Sequence, residues 1–170
     1  MALAAPAMAK DFLNIELKSG VVKIELMDDV APKHVAQIKA IAADGGYDGI
    51  AFHRVIDGFM AQTGDVEHGK VGADGAVSRR AGTGGSKLPN IPAEFSPVPF
   101  DRGVVGMARS QSPNSANSQF FIMFEDGHFL NNNYTVWGRV VDGMSHVDNI
   151  TRGEPPANPD QMIRVWVDSE

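Results

Sequence analysis

Between Leu13 and Leu26 apolar and polar residues alternate twice over. Leu13, Ile15 and Leu17 form one apolar set; Val22, Ile24 and Leu26 form the other; Lys18-Ser19-Gly20 lies between them. A period of two buries one face of a strand, so this stretch predicts a β-hairpin with one face in a core. Punctuation constrains the rest of the chain in the same direction. Eighteen glycines and ten prolines in 170 residues leave little room for long helices. Many short strands joined by turns point to a barrel or sandwich.

Two helices are expected. Pro32 suits a first helical turn, Val35, Ile38, Ile41 and Ala42 follow at helical spacing, and Asp44-Gly45-Gly46 stops them. His34 and Lys39 fall off that stripe. Met144, Val147 and Ile150 give a second, shorter helix. Further strands are predicted over 103–108, 118–124, 135–141 and 162–167. In the strand from Ser118, alternation puts Phe120, Ile122 and Phe124 on one face and Gln119, Phe121 and Met123 on the other. Met60 and Gln62 likewise share a face. Gly58 breaks the strand before them, so parity does not carry back to Arg54. Residues 66–85 form the longest irregular, glycine-rich segment, and loops of that length are usually functional or mobile. Pro89, Pro92, Pro97 and Pro99 make an irregular connector. Residues 129–134 read as a loop with exposed apolar side chains.

The length favours one domain, placed at 11–170. Residues 1–10 differ in character. Ala7-Met8-Ala9 has the small-x-small form of a signal-peptidase site, although a charged leader and most of an apolar core are missing. The expectation is a truncated export signal and a periplasmic protein. The alternative is an Ala-rich tail on a cytoplasmic one.

Composition excludes several functions. Hydrophobic residues make up 43% and charged residues 21%, ordinary for a globular chain. A net charge of -6 with no basic run beyond Arg79-Arg80 argues against nucleic acid. Zero cysteines remove thiol catalysis and Cys-type zinc sites. No apolar run is long enough to span a bilayer. The histidines show neither H-x3-H nor H-E-x-x-H spacing, so no metal is expected. No G-x-S-x-G elbow occurs. Gly84-Gly85-Ser86-Lys87 inverts the order that a phosphate loop needs, and Pro89 follows.

What remains is a set without a covalent partner: Arg54, Phe59, Met60, Gln62, Gln119 and Phe121. Taken singly, Phe59 and Phe121 read as core packing. Arg54 reads as a surface ion pair with Asp57 or Asp65. His53, opposite in parity to Arg54, reads as structural.

The stretch from Phe52 to Asp65, FHRVIDGFMAQTGD, resembles the signature of the cyclophilins, the cyclosporin-binding type of peptidyl-prolyl cis-trans isomerase. So do Gly82-Thr83-Gly84-Gly85, Gly106-Met107-Ala108-Arg109 and the run from Ser112 to Ile122. The motifs stand in the family's order from about Leu13 to Val167, and within the family the chain looks like a bacterial member. The resemblance implies a mainly β fold: a closed eight-stranded antiparallel barrel capped by two helices. It puts the family's catalytic arginine on Arg54, with Phe59, Gln62 and Phe121 beside it. It places substrate binding on Met60, Ala108, Arg109, Gln119, Phe129, Leu130 and Tyr134. It implies no cofactor. The implied partners are Xaa-Pro peptides and unfolded proteins, with neither nucleic acid nor membrane, and a monomer is the default.

Three side chains and one segment depart from the family pattern. Phe129 replaces the usual Trp, which in this family contributes to cyclosporin binding, so weakened affinity for the drug is expected. Tyr134 replaces the usual His. Arg109 stands where an Asn often follows Met-Ala. The segment between Asp65 and Gly82 is also longer than usual, and it is expected to shape which peptides enter.

Overall fold

The first alternating stretch folds as read. β1 (Asp11–Leu17) pairs antiparallel with β2 (Gly20–Leu26), with Leu13 opposite Ile24 and Leu17 opposite Gly20. This computed structural model describes residues 2–3 and 9–170, so Ala7 and Met8 of the small-x-small tripeptide lie outside the described residues. Helix α1 (Pro32–Ala43) follows, then β3 (Ile50–Ala51), β4 (Arg54–Ile56) and β5 (Met60–Thr63). A long connector leads to β6 (Val104–Met107) and β7 (Phe120–Met123). The chain ends with β8 (Val136–Asp142), α2 (Met144–Asp148), β9 (Gln161–Met162) and β10 (Arg164–Ser169).

Eight strands form one curled antiparallel sheet in the order β10-β1-β2-β8-β6-β7-β5-β4. The sheet is not the closed barrel expected. Among the described residues its edge strands β4 and β10 do not pair. The short β3–β9 ladder (Ile50 opposite Met162) lies across the seam, with one bridge between Val55 and Gly153. Past that bridge Pro155, Pro156 and Pro159 have no N–H to donate, so the segment beside β4 does not lengthen into a strand that would carry the sheet round.

Alternation along the strands separates two apolar clusters. Leu13, Ile24, Val105, Phe120, Ile122 and Trp137 fill the main core, where α1 docks Val35, Ile38 and Ile41. Met60, Phe100, Phe121, Met123 and Leu130 form the second cluster on the opposite face of β5 and β7. Each such side chain taken from water is worth about 1.5–3 kcal/mol.

Two carboxylates fix the irregular parts. Ala31 precedes α1 and provides no side-chain cap. Glu94, from the proline-rich connector, accepts the backbone N–H groups of Lys33 and His34 at 3.2 and 2.8 Å. It thus caps a helix 60 residues upstream. His34 also donates or accepts at Glu94 through Nδ1 at 2.6 Å. The ring is fully buried, contrary to the expectation that it lies off the apolar stripe. Burial holds it below the ordinary histidine range, and the hydrogen bond to Glu94 only partly offsets this. Its buried Nε2 has no partner among the described residues, so protonation there would strand a charged donor. The second carboxylate is Asp65, fully buried. It accepts four backbone N–H groups: Glu67 and His68 at Oδ1, Gly82 and Gly84 at Oδ2, at 2.8–3.0 Å. One side chain therefore ties together both ends of the 66–81 loop. Burial alone would raise its pKa; the four donors outweigh burial and hold it below the ordinary carboxylate range.

Removing either carboxylate leaves orphaned N–H groups. Glu94→Ala is expected to lower unfolding free energy by about 1–2 kcal/mol in a denaturant titration. Asp65→Ala is expected to cost more, about 2–4 kcal/mol, because several donors lose their acceptor at once. His34 adds a pH dependence. Below about pH 6.5 the unfolded chain takes up a proton that the folded ring refuses, so stability is full above that pH and declines as pH falls through the lowered native value. Melting temperatures recorded from pH 7.5 to 5 check this, and His34→Gln should flatten that part of the profile.

Candidate active site

The site begins with a turn. Gly58 adopts φ +73°, Phe59 N–H donates to the Ile56 carbonyl at 3.0 Å, and β5 folds back along β4. The left-handed conformation explains the glycine. The reversal sets Arg54 opposite Gln62 and Ile56 opposite Met60. Residues opposite one another in a ladder share a face, so Arg54 joins the Met60–Gln62 face that parity alone could not assign to it. β7 continues the surface on the other side of β5, with Gln62 opposite Phe121 and Met60 opposite Met123.

These faces line a groove of about 720 Å³. Arg54, Phe59, Met60, Gln62, Ala108, Arg109, Phe121, Leu130 and Tyr134 all border it. Gln119 borders a smaller, polar recess that continues past Gln62 toward Gly82–Ser86. Phe129 stands at the rim, 71% exposed, with its ring 5.5 Å from that of Phe59. All eleven residues singled out in the sequence thus lie in one neighbourhood.

Its apolar end is stiff. Phe121 is 5% exposed and stacks on the fully buried Phe100 at 5.7 Å, while Tyr134 meets it edge-on at 5.9 Å. Gly106 lies against both phenylalanines: a Cβ there would come within 2.5 Å of Phe100 and 2.7 Å of Phe121. Leu130, expected to be exposed, is buried. A 3-10 turn at His128–Leu130 rolls it into the second cluster and leaves Phe129 outside.

The polar end is a hydrogen-bonded chain. Arg54 Nε–H donates to Glu154 Oε1 at 2.9 Å, and its Nη1 lies 3.5 Å from Gln62 Oε1. Gln62 donates to Gln119 Oε1 at 3.1 Å, and Gln119 donates to the Gly84 carbonyl at 2.9 Å. Arg54 does not pair with Asp57 or Asp65, as its surface reading expected. Asp57 accepts from Arg152, and Asp65 is occupied by backbone. Arg109 is spent on structure. Its guanidinium donates to the carbonyls of Asn133, Ser110 and Gln111 and lies over Tyr134, 4.5 Å from the ring centroid. His53 is buried at the groove wall, where burial lowers its pKa despite the nearby Asp65.

Sequence reasoning missed two contributors. Phe100 backs Phe121 from an irregular connector where no periodicity marked it. Glu154 and Pro155–Pro159 form a wall from 100 or more residues away, and no local signal ties them to Arg54. Gly75–Thr83 make the facing wall, so the expected place of the long loop beside the groove is correct.

The chain's relatives agree with this geometry. The family model described as "Cyclophilin type peptidyl-prolyl cis-trans isomerase/CLD" matches residues 12–167. A Brucella suis protein described as "Probable peptidyl-prolyl cis-trans isomerase" is 55% identical over 172 residues, covering 98% of this chain and 87% of the relative. Peptidyl-prolyl cis-trans isomerase B of Escherichia coli is 37% identical over 139 residues, covering 77% of this chain and 78% of its own length. Among solved structures, a Hirschia baltica cyclophilin superposes with TM-score 0.77 at 31% identity, over 91% of this chain and 72% of that one. A Cryptosporidium parvum cyclophilin-type isomerase, solved in the presence of the dipeptide Ala-Pro, superposes with TM-score 0.80 at 27% identity, over 94% and 99%. A curled antiparallel sheet with two helices, a groove joining a cation and amides to an apolar pocket, and a family match over nearly the whole length agree: the chain belongs to the cyclophilin-type peptidyl-prolyl cis-trans isomerases.

Proposed function

We propose that Xaa-Pro bonds of peptides and unfolded proteins rotate in the groove between Arg54 and Leu130, and that Arg54 is the residue that lowers the barrier. The observation that carries this reading is the placement of one half-exposed guanidinium on the same face as the apolar Met60 and Phe121. The reaction needs little more. Amide resonance sets a barrier of about 18–20 kcal/mol, while the cis and trans states differ by only about 0.5–1 kcal/mol. When the bond twists, the lone pair returns to the prolyl nitrogen. A guanidinium N–H can donate to that nitrogen in the twisted state and poorly in the planar one, which is differential binding of the transition state.

Phe59, Met60, Phe121 and Leu130 hold the proline ring, so the carbonyl before it is the part that turns. Gln62 and Gln119 bind the substrate backbone. Ala108, next to Gln119, offers backbone only. No proton leaves the substrate and no bond breaks, so a nucleophile would have no task. The Ala-Pro dipeptide named with the Cryptosporidium relative supports the peptide class. Arg109 and Tyr134 complete the rim as a stacked pair.

Arg54→Ala is expected to lower kcat/KM for a short Xaa-Pro peptide by about 10²–10³-fold, the usual loss for one transition-state donor. Acceleration that survives would remove Arg54 from the chemistry and shift it to the apolar pocket. A folded variant that binds peptide without turnover would confirm Arg54 as the group that separates an isomerase from a mere binding module. Cyclosporin tests the rim: Phe129→Trp is expected to tighten inhibition relative to the unaltered protein in the same assay. Loop identity tests the wall: removing residues 72–79 should change the ranking of a panel of Xaa-Pro peptides that differ on either side of the proline.

A further inference from the structure

Arg54 is gripped by a residue 100 positions away in the sequence. Glu154 Oε1 takes the Nε hydrogen at 2.9 Å, leaving the Nη hydrogens for Gln62 and for a ligand. An arginine has several rotatable bonds, and with this one 45% exposed the fork depends on its polar partners for its orientation. Gln62 is at the limit of hydrogen-bonding distance, at 3.5 Å; Glu154 is the close one.

Glu154 itself stands on a fixed segment. Immediately before it, Gly153 exchanges both backbone hydrogen bonds with Val55 of β4, each 2.8 Å. Val55 neighbours Arg54, so the carboxylate and the guanidinium are carried by directly bridged backbone. Arg152 anchors the same segment by donating to Asp57 at 3.1 Å and to the carbonyls of Asp148 and Ile150, with its guanidinium 4.1 Å from the Phe124 ring centroid. After Glu154 come two prolines whose φ is locked.

We propose that Glu154 is a positioning residue for Arg54: it holds the guanidinium by its Nε edge so that the Nη edge faces the substrate. The proposal rests on the reading of Arg54 as the donor to the prolyl nitrogen. An exposed ion pair contributes little to stability, so the effect of Glu154 is sought in turnover and not in folding.

The test is a double-mutant cycle on kcat and KM with a short uncharged Xaa-Pro peptide, using Glu154→Ala, Arg54→Ala and the double variant, each checked by thermal melting. Glu154→Ala is expected to lower kcat about two- to fivefold with KM unchanged, the range for one exposed ion pair. In the Arg54→Ala background the same change should do nothing, because its only route is through the guanidinium. The Arg54 Nε–H resonance, followed by NMR in the ligand-free protein, should shift and exchange faster in Glu154→Ala and be partly restored in Glu154→Gln, whose amide oxygen can still accept. A full-sized loss in the Arg54→Ala background, or a change confined to KM, would overturn the proposal, since Glu154 would then act on the substrate itself. Wild-type kcat in Glu154→Ala beside a crippled Arg54→Ala overturns it while leaving Arg54 in its role. Undiminished turnover in Arg54→Ala removes both.

Discussion

The β5–β7 pair serves two cores at once, and the rest of the molecule depends on its register. Ala61, Phe120 and Ile122 face the main core, while Met60, Phe121 and Met123 face the second cluster. A slip of one residue would drive Gln62 into the main core and turn Phe120 into the groove. Neither exchange is tolerable, since an unpaired amide would be buried and a large ring exposed. The hydrophobic effect that folds the sheet is therefore also what aims the site. Phe121 is held by Phe100 packed behind it and by a strand that is paired on both sides, with β5 and with β6.

Around this pair, irregular segments are held by side chains that take the place of missing ladders. Asp65 closes the long loop onto its own root, and Glu94 caps α1 from a distant connector. Both are acceptors serving backbone donors that no regular element could satisfy. The Asp65 staple holds the two ends of its loop together beside the groove. The chain between those ends lines the groove through residues of 75–83.

The groove divides its labour by polarity. Its apolar end holds a ring by shape, and its polar end is one connected chain from Glu154 through Arg54, Gln62 and Gln119 to the Gly84 carbonyl. A connected chain keeps each group oriented by its neighbour, so little reorganisation is needed when charge shifts on the substrate. Arg109 shows the contrast. It is as cationic as Arg54, but its donors are consumed by three carbonyls, so it shapes the rim and has few left for a ligand.

Much of this was legible in the chain. Period-two runs located the hairpin and both faces of β7, and Pro32 with Gly45-Gly46 bounded α1, because those signals are local and the core reads them directly. The motifs from Phe52 to Asp65, Gly106 to Arg109 and Ser112 to Ile122 hold eight of the eleven site residues, and Phe129, Leu130 and Tyr134 follow the last of them. What sequence could not decide was everything that depends on distant chain meeting. The β4–β5 reversal at Gly58 put Arg54 on the face of Gln62. The 3-10 turn buried Leu130 and left Phe129 out. The Val55–Gly153 bridge delivered Glu154 to Arg54, where Asp57 and Asp65 had been the nearer candidates in sequence. Burial patterns are written in neighbouring residues. Ion pairs, helix caps and seams are settled only when the packed core has fixed which segments lie side by side.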